Sequence, residues 1–215
     1  VPALGGVAIF IGFIVSTLIS TYGYSFDELR FIIASIILMF FIGLKDDLIT
    51  VSNRKKFIGQ VFAALLLIFL GNIRIHNFHG FLGFHEVNYL FSISSTLFLM
   101  ILTINAYNLI DGIDGLASGL AIFGAAAFGL CFFMAGEMQY AILSFALVGS
   151  LLGFFIYNVF STKNKMFMGD TGSLVIGISI SALLVKFNEI DASVALPLVM
   201  QKTPALSFAI VMVPL

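Results

Sequence analysis

The sequence predicts an all-α fold: a polytopic transmembrane helix bundle of about eight membrane segments, with its active site in loops at one face. Three observations carry this. Apolar residues make up 60% of the 215-residue chain and charged residues only 10%, with mean hydropathy +1.13. A soluble domain carries about 25% charged residues and under about 50% apolar ones. The 10 basic and 11 acidic residues are bunched, leaving long uncharged runs between them. Finally, five of the acids gather in three short motifs. This composition excludes a soluble enzyme and a disordered segment, and a net charge of −1 offers no basic stripe to a nucleic acid. The single cysteine, Cys131, lies in an apolar stretch and excludes a disulfide framework or a Cys-ligated zinc site.

The uncharged runs are 1–26, 31–44, 57–73, 87–110, 115–136, 138–162, 171–185 and 203–215. Crossing the hydrocarbon core takes about 20 residues, with ~17 as a lower limit, and five of these runs reach it outright. Phe31–Leu44 and Thr171–Val185 are short. Each spans only if Asp46 and Asp47, or Asp170, sit at the membrane boundary. The last run stops at Leu215 within apolar sequence and the first begins with Val1, so residues 1–215 read as one integral-membrane domain truncated at both ends. No basic region precedes the first run, so none of it reads as a signal peptide. Small residues such as Gly119, Gly124 and Ala125 suit close helix–helix approach in a bilayer.

Counting crossings places the connections 45–56, 105–114 and 158–172 on one face. Those at 23–30, 74–86, around Glu137 and at 186–202 fall on the other. The first face holds six basic residues, Lys45, Arg54, Lys55, Lys56, Lys163 and Lys165, against Arg30, Arg74, Lys186 and Lys202 opposite. That bias puts the first face in the cytoplasm. The same count puts Asp46, Asp47, Asp111, Asp114 and Asp170 on it, with the other six acids opposite. An acid at membrane depth costs a few kcal/mol and is normally retained for function. Solvated loop carboxylates are the plainer reading, and Asp46–Asp47 beside Lys45 is the pair most open to it.

Short aspartates converging at a water–lipid boundary suit a hard cation. Magnesium takes one or two carboxylates and completes its shell with water and phosphate oxygens, and metal plus lysine neutralises charge in phosphoryl transfer. In Asn105-Ala-Tyr-Asn108-Leu-Ile-Asp111-Gly-Ile-Asp114-Gly, polar groups recur at steps of three. On one helix the row would drift until Asn105 and Asp114 faced apart. Gly112 and Gly115 therefore predict a helix end near Asn108 or Asp111 and a turn that brings Asp114 back. Phe167-Met-Gly169-Asp170-Thr-Gly-Ser173 combines glycines, an acid and a hydroxyl able to cap a helix starting at Thr171. Such a helix start favours phosphate, and Phe167 offers a stacking surface. His76, His79 and His85 fall on the opposite face and read as part of an interfacial loop with Phe78, Phe81, Phe84 and Tyr89.

At these residues the chain resembles the polyprenyl-phosphate N-acetylhexosamine-1-phosphate transferases, the bacterial membrane enzymes of glycosyltransferase family 4. The resemblance runs through Pro2-Ala-Leu-Gly-Gly6, Gly43-Leu-Lys-Asp46-Asp47, Lys56-Phe-Ile-Gly-Gln60, Asn105 to Leu116, Asn158, and Phe167 to Ser173. Pro-x-Leu-Gly-Gly looks like the branch using UDP-N-acetylglucosamine to initiate O-antigen (lipopolysaccharide), teichoic acid or capsule. The phospho-N-acetylmuramoyl-pentapeptide transferases of peptidoglycan synthesis are the alternative branch.

The resemblance implies a multi-pass protein of the bacterial inner (plasma) membrane with a cytoplasmic active site. There undecaprenyl phosphate would attack the β-phosphate of a UDP-amino sugar and release UMP. It further implies a magnesium cofactor, with manganese as the substitute ion, and a homodimer in the lipid bilayer. By residue, Asp170 looks like the metal ligand. Asp46, Asp47, Asn108 and Asp111 would be catalytic. Lys56, Asn105, Asp114, Asn158, Phe167 and Gly169 would bind substrate, with Asp114, Asn158 and Phe167 at the uridine and Lys56 near phosphate. A phosphomonoester has its second pKa at about 6, so the acceptor needs little base catalysis. Asp46 and Asp47 are then expected to act mainly by positioning and electrostatics.

Two features depart from the family pattern: Thr50 stands where a third charged residue is frequent, and the His-rich loop expected after the penultimate helices is not in the sequence. Two other classes fit less well. A cation-coupled transporter should hold its acids near the midplane between inverted repeats, whereas these cluster at one boundary. A CDP-alcohol phosphotransferase should carry Arg after the Ala of Asp-Gly-x-x-Ala, which neither Asp111 nor Asp114 provides.

Overall fold

The computed structural model describes residues 4–77 and 87–190. Within them the chain forms seven α-helices: α1 (Gly5–Ser20), α2 (Leu29–Leu48), α3 (Asn53–Phe69), α4 (Tyr89–Ile110), α5 (Leu116–Ala135), α6 (Met138–Phe155) and α7 (Gly169–Asn188). Each of the first seven uncharged runs yields one helix. The eighth, 203–215, lies outside the described residues, as do His79, His85, Phe78, Phe81, Phe84 and Pro2.

Four helical stretches are long and apolar enough to cross a membrane: Tyr89–Ile110, Leu116–Ala135, Met138–Phe160 and Gly169–Asn188. The run 1–26 gives only the 16-residue α1, because the chain turns after Ser20. The run 57–73 belongs to a helix that begins earlier, at Asn53, and carries Arg54, Lys55 and Lys56 in its first turn. Conversely, Thr171–Val185 lengthens to 20 residues by drawing Asp170 and Lys186 into its ends. α2 similarly takes in Asp46 and Asp47 in its last turn. Short apolar runs thus become full helices by placing charges at their tips, as the boundary argument requires.

The bundle is built around α7. Every residue from Thr171 to Val185 is buried, and the helix is enclosed by α1, α2, α4 and α5. A helix apolar all round belongs in such a position. Backbones come close where glycine removes the side chain. A Cβ on Gly6 would lie 2.3 Å from the Gly172 nitrogen, and one on Gly43 would lie 2.5 Å from the Thr171 Cα. One on Gly177 would lie 2.6 Å from the Ile104 Cα. Small-residue contacts of this kind drive helix association where lipid removes the hydrophobic force between helices. The glycines of the Leu-Gly-Gly and Gly-Leu-Lys-Asp-Asp motifs therefore serve packing.

α5 and α6 form a tight antiparallel pair joined at Gly136–Glu137, and α6 also packs on α1. α6 ends in a wide π-type turn, Ile156–Phe160, which sets Asn158 in a buried position. Such turns occur often at functional sites. At the far end of the bundle, Lys186 bridges Glu28 (3.5 Å) and Glu189 (3.0 Å), and His76 Nδ1 lies 2.7 Å from Glu189. Among the described residues the two sets of charges separate as the sequence sorts them: these groups collect at one end and the five aspartates lie at the other, although only four helices are long and apolar enough to cross a membrane where about eight were expected.

Candidate active site

The site begins with a close approach. Gly43 lets the C-terminal end of α2 lie against the start of α7, and Asp47, one turn further on, reaches the first backbone amides of α7. Its Oδ1 accepts the Asp170 N–H at 2.8 Å, and its Oδ2 accepts the Thr171 N–H at 2.9 Å and the Thr171 hydroxyl at 2.5 Å. Gly169 makes room: its φ is +70°, and a Cβ there would lie 2.7 Å from Asp47 Oδ2. Asp47 is an N-cap delivered from another helix, with its charge at the positive end of the helix dipole.

This revises two sequence expectations. The helix starts at Gly169, not Thr171, and a carboxylate from α2 caps it, because Thr171 spends its own hydroxyl on Asp47. The helix start read as a phosphate seat already holds an anion.

Beside this cap sits Lys56, from the first turn of α3. Its Nζ lies 2.6 Å from Asp170 Oδ1, 3.1 Å from Asp46 Oδ2 and 3.4 Å from Asn108 Oδ1. The Asn108 amide donates to Asp170 Oδ1 and, at 2.9 Å, to Ser173 Oγ. Asp46 is held on its other oxygen by the Val51 N–H at 2.5 Å. One ammonium thus ties α2, α4 and α7 together through groups from all three motifs. An open groove of about 320 Å³ runs from this point between α3 and α4, lined by Asn53, Lys56, Phe57, Gln60, Asn105 and Asn108. Asn105 and Gln60, the latter 1% exposed, hold each other by paired amide hydrogen bonds of 3.2 and 3.4 Å.

Asp111 closes α4, which ends at Ile110 as the glycines foretold. Burial, then the negative charges of Asp170, Asp47 and Asp114, push its carboxyl up to about 7, against a hydrogen bond from the Gly169 backbone. A raised folded-state pKa means that ionised Asp111 burdens the fold increasingly as pH rises from about 4 through about 7. Asp111→Asn keeps the shape and an acceptor for Gly169. In EDTA it is expected to melt higher than the parent at pH 8, by on the order of 2 kcal/mol after allowing for solvent screening, and equally at pH 4. Equal melting at both pH values would remove the electrostatic burden assigned to Asp111.

A second cluster lies on the α5–α6 side. Lys165 Nζ is 2.5 Å from Asp114 Oδ2 and 5.7 Å from the centre of the Phe167 ring. Asn158 Nδ2 donates to the Met166 carbonyl at 2.8 Å and to Asp114 Oδ1 at 3.5 Å, and Asn158 Oδ1 accepts the Gly115 N–H at 2.7 Å. One buried asparagine therefore joins the loop after α4 to the segment before α7. The helix ends as expected, but the turn after it does not bring Asp114 back beside Asn105: Lys165 and Asn158 hold Asp114 in the second cluster, while Asn105 pairs with Gln60 in the groove.

All eleven residues singled out in the sequence lie in or beside these two clusters. Asp46, Asp47, Lys56, Asn108, Asp111, Gly169 and Asp170 meet in the first; Asp114, Asn158 and Phe167 meet in the second; Asn105 lines the groove. Three neighbours had been given no substrate, metal or catalytic role: Lys165, Gln60 and Ser173. Gln60 stands one helical turn after Lys56, a spacing that carries it to the same face. Lys165 stands two before Phe167, where an extended segment puts alternate side chains on one side.

The donor set suits magnesium. It is all oxygen, its carboxylates outnumber its one lysine, and burial together with their mutual repulsion raises Asp111. Among the described residues no three His, Cys, Asp or Glu side chains form a ready-made cage; magnesium itself takes one or two carboxylates and fills its shell with water and phosphate.

Known proteins resemble this chain over most of its length. The family model described as glycosyl transferase family 4 matches residues 29–188. A phospho-N-acetylmuramoyl-pentapeptide-transferase of Listeria monocytogenes is 35% identical over 209 residues, covering 87% of this chain and 61% of the relative. A probable undecaprenyl-phosphate N-acetylglucosaminyl 1-phosphate transferase of Bacillus subtilis is 32% identical over 216 residues, covering 98% of this chain and 59% of the relative. The chain spans about three fifths of the length of these curated relatives. The family match takes in both aspartate clusters and the helices that present them, and the chain belongs to glycosyl transferase family 4.

Proposed function

We infer that the full-length protein transfers N-acetylglucosamine 1-phosphate from its UDP conjugate to undecaprenyl phosphate and releases UMP. This would start a cell-envelope polysaccharide on the cytoplasmic side of a bacterial plasma membrane. The observation that carries the reading is the meeting of Asp46 and Asp170 on Lys56, with Asp47 capping the helix that bears Asp170 and Asp111 close enough to feel both charges, at one end of an apolar bundle. That arrangement suits a reaction between two phosphates, one of them anchored in lipid. An oxygen of the lipid phosphate bonds to the β-phosphorus of the donor. The bond from that phosphorus to the bridging oxygen breaks, and the electron pair leaves with UMP.

Lys56 supports this by offering an ammonium at the point where Asp46, Asp170 and an open groove meet, next to the path of an incoming phosphate. Asp170 and Asp111 would hold magnesium, which when bound neutralises charge on the diphosphate oxygens. Asp47 holds the start of α7, and with it the Asp170 carboxylate, in register. Asp46 is engaged by both Lys56 and Val51, which favours positioning over proton abstraction. Asp114, Asn158 and Phe167 offer a carboxylate, an amide and an aromatic face for the nucleoside.

N-acetylglucosamine as the sugar is supported by the match to the Bacillus subtilis relative, which extends over 98% of this chain. The muramoyl-pentapeptide donor is the second reading, favoured by the 35% identity to the Listeria relative. Membranes holding the full-length protein, given each labelled UDP-sugar in turn, decide between them. Label from UDP-N-acetylglucosamine is expected in the lipid fraction, and label from the muramoyl-pentapeptide conjugate alone would reverse the assignment.

A further inference from the structure

Arg74 is a cation without an acid. It lies in the connection between α3 and α4, at the end of the bundle away from the aspartates, and the six ion pairs among the described residues leave it out. Its guanidinium is nonetheless fixed on three sides. Nε donates to Asn72 Oδ1 at 3.2 Å, Nη1 donates to Ser92 Oγ at 3.0 Å, and Cζ sits over the Tyr89 ring, 4.8 Å from its centre. The support from α4 is itself built in. Ser92 is fully buried, and its hydroxyl donates to the Ile75 carbonyl at 2.6 Å. The Ile75 N–H donates in turn to Thr96 Oγ1 at 2.9 Å. Ile73 and Ile75, on either side of Arg74 in sequence, are buried, while Arg74 itself is half-exposed.

A guanidinium has five N–H groups. Two are engaged here, which leaves three among the described residues for a ligand. A strap between this connection and α4 would need only a neutral amide. A full charge at a membrane boundary with no counter-ion must instead be met by water or by an anion. The surroundings favour one kind of anion. The helix ends next to Arg74 expose Phe69 and Leu70 of α3 and Tyr89 and Leu90 of α4, a mixture of apolar side chains and a tyrosine that suits headgroup depth.

We propose that Arg74 holds the phosphodiester of an anionic phospholipid at the ends of α3 and α4, with the acyl chains against the exposed apolar side chains there. Phosphate oxygens accept from the remaining N–H groups as charge-assisted hydrogen bonds, which the planar guanidinium can give in pairs. A zwitterionic headgroup brings the same phosphate with its own ammonium, which offsets the attraction to Arg74. Selection is therefore for a lipid of net negative charge. This site lies at the opposite end of the bundle from Lys56 and takes no part in phosphoryl transfer.

Native mass spectrometry of the full-length protein in detergent tests this by counting the lipids retained when dioleoyl phosphatidylglycerol or dioleoyl phosphatidylcholine is added at equal concentration. One phosphatidylglycerol is expected to be held through Arg74 about fivefold more tightly than phosphatidylcholine. Basic residues at the aspartate end add to the total retained, so the variants carry the test. Arg74→Gln keeps an amide donor for Ser92, removes the charge and is expected to lose that lipid. Arg74→Lys keeps the charge without the fork and is expected to hold it less tightly than the parent. Arg30→Gln is the control, because Arg30 stacks on Phe31 at the same end of the bundle (4.8 Å) but is exposed; its preference is expected to match the parent's. An Arg74→Gln protein with the parent's preference would overturn the proposal. An equal loss in Arg30→Gln would overturn it too, by reducing the effect to general surface charge. Glycerol 3-phosphate in excess is expected to leave the lipid in place, and full displacement would assign Arg74 to a free phosphate instead. Should Arg74→Gln fail to fold, Arg74→Lys decides: retention equal to the parent's would overturn the paired contact.

Discussion

Asp170→Asn is expected to lower UMP release by about 10³-fold while leaving the fold intact. The substitution removes a charge and little else. The side chain keeps its size and an oxygen able to accept from Lys56 and Asn108, and the backbone N–H of residue 170 remains the donor to Asp47. What disappears is the negative charge at the one position where groups from α3, α4 and α7 converge. A magnesium ion held by one or two carboxylates loses much of its affinity when one becomes neutral. The expected result is a melting temperature close to the parent's, together with activity that saturating magnesium does not restore. Activity within tenfold of the parent would show that the converging acids do not form the reacting centre.

Gly43→Ala is expected to cost about 3–5 kcal/mol and to abolish activity, although residue 43 makes no contact with any of the acids through a side chain. A Cβ there would sit 2.5 Å from the Thr171 Cα and 2.6 Å from the Asp170 carbonyl oxygen. Those neighbours are backbone and cannot swing aside, so α2 and α7 must separate. Asp47 lies on the same helix one turn later. Separation removes its three hydrogen bonds from the start of α7, and Asp170 shifts with that helix end. Gly149→Ala and Gly153→Ala are the controls: nothing lies within 4 Å of a Cβ at either position, and each is expected to change stability by no more than about 0.5 kcal/mol. Thermal unfolding in detergent compares the three. Equal shifts would mean that the close contact between α2 and α7 does not hold the site.

Much of this arrangement was legible because charge is so scarce in the sequence. Where only a tenth of the residues are charged, the uncharged runs mark the helices. Counting crossings sorts the aspartates to one end before any packing is known. The end of α4 near Asp111 was equally readable, since Gly112 and Gly115 follow it. What could not be read was pairing across helices. Asp47 and Asp170 are 123 residues apart, and nothing local says that one caps the helix bearing the other. Asp47 therefore read as one of two equivalent acids, whereas its two oxygens are both committed to α7.

Lys165 escaped notice for the same reason: its partner, Asp114, is 51 residues away. Asn158 owes its place to a π-type turn, a backbone feature that the apolar pattern of α6 does not announce. The glycines misled in a subtler way. In Gly5-Gly6 and Gly43 they read as part of a chemical signature, but they are the means by which three backbones meet at α7.

UMP release by membranes containing the full-length protein measures whether the three aspartate motifs act together in a magnesium-dependent phosphoryl transfer between a lipid phosphate and a nucleotide sugar. UMP is expected only when undecaprenyl phosphate, a UDP-amino sugar and magnesium are all present, and EDTA is expected to stop it. No UMP with any UDP-sugar, or UMP release indifferent to the lipid phosphate, would contradict the account.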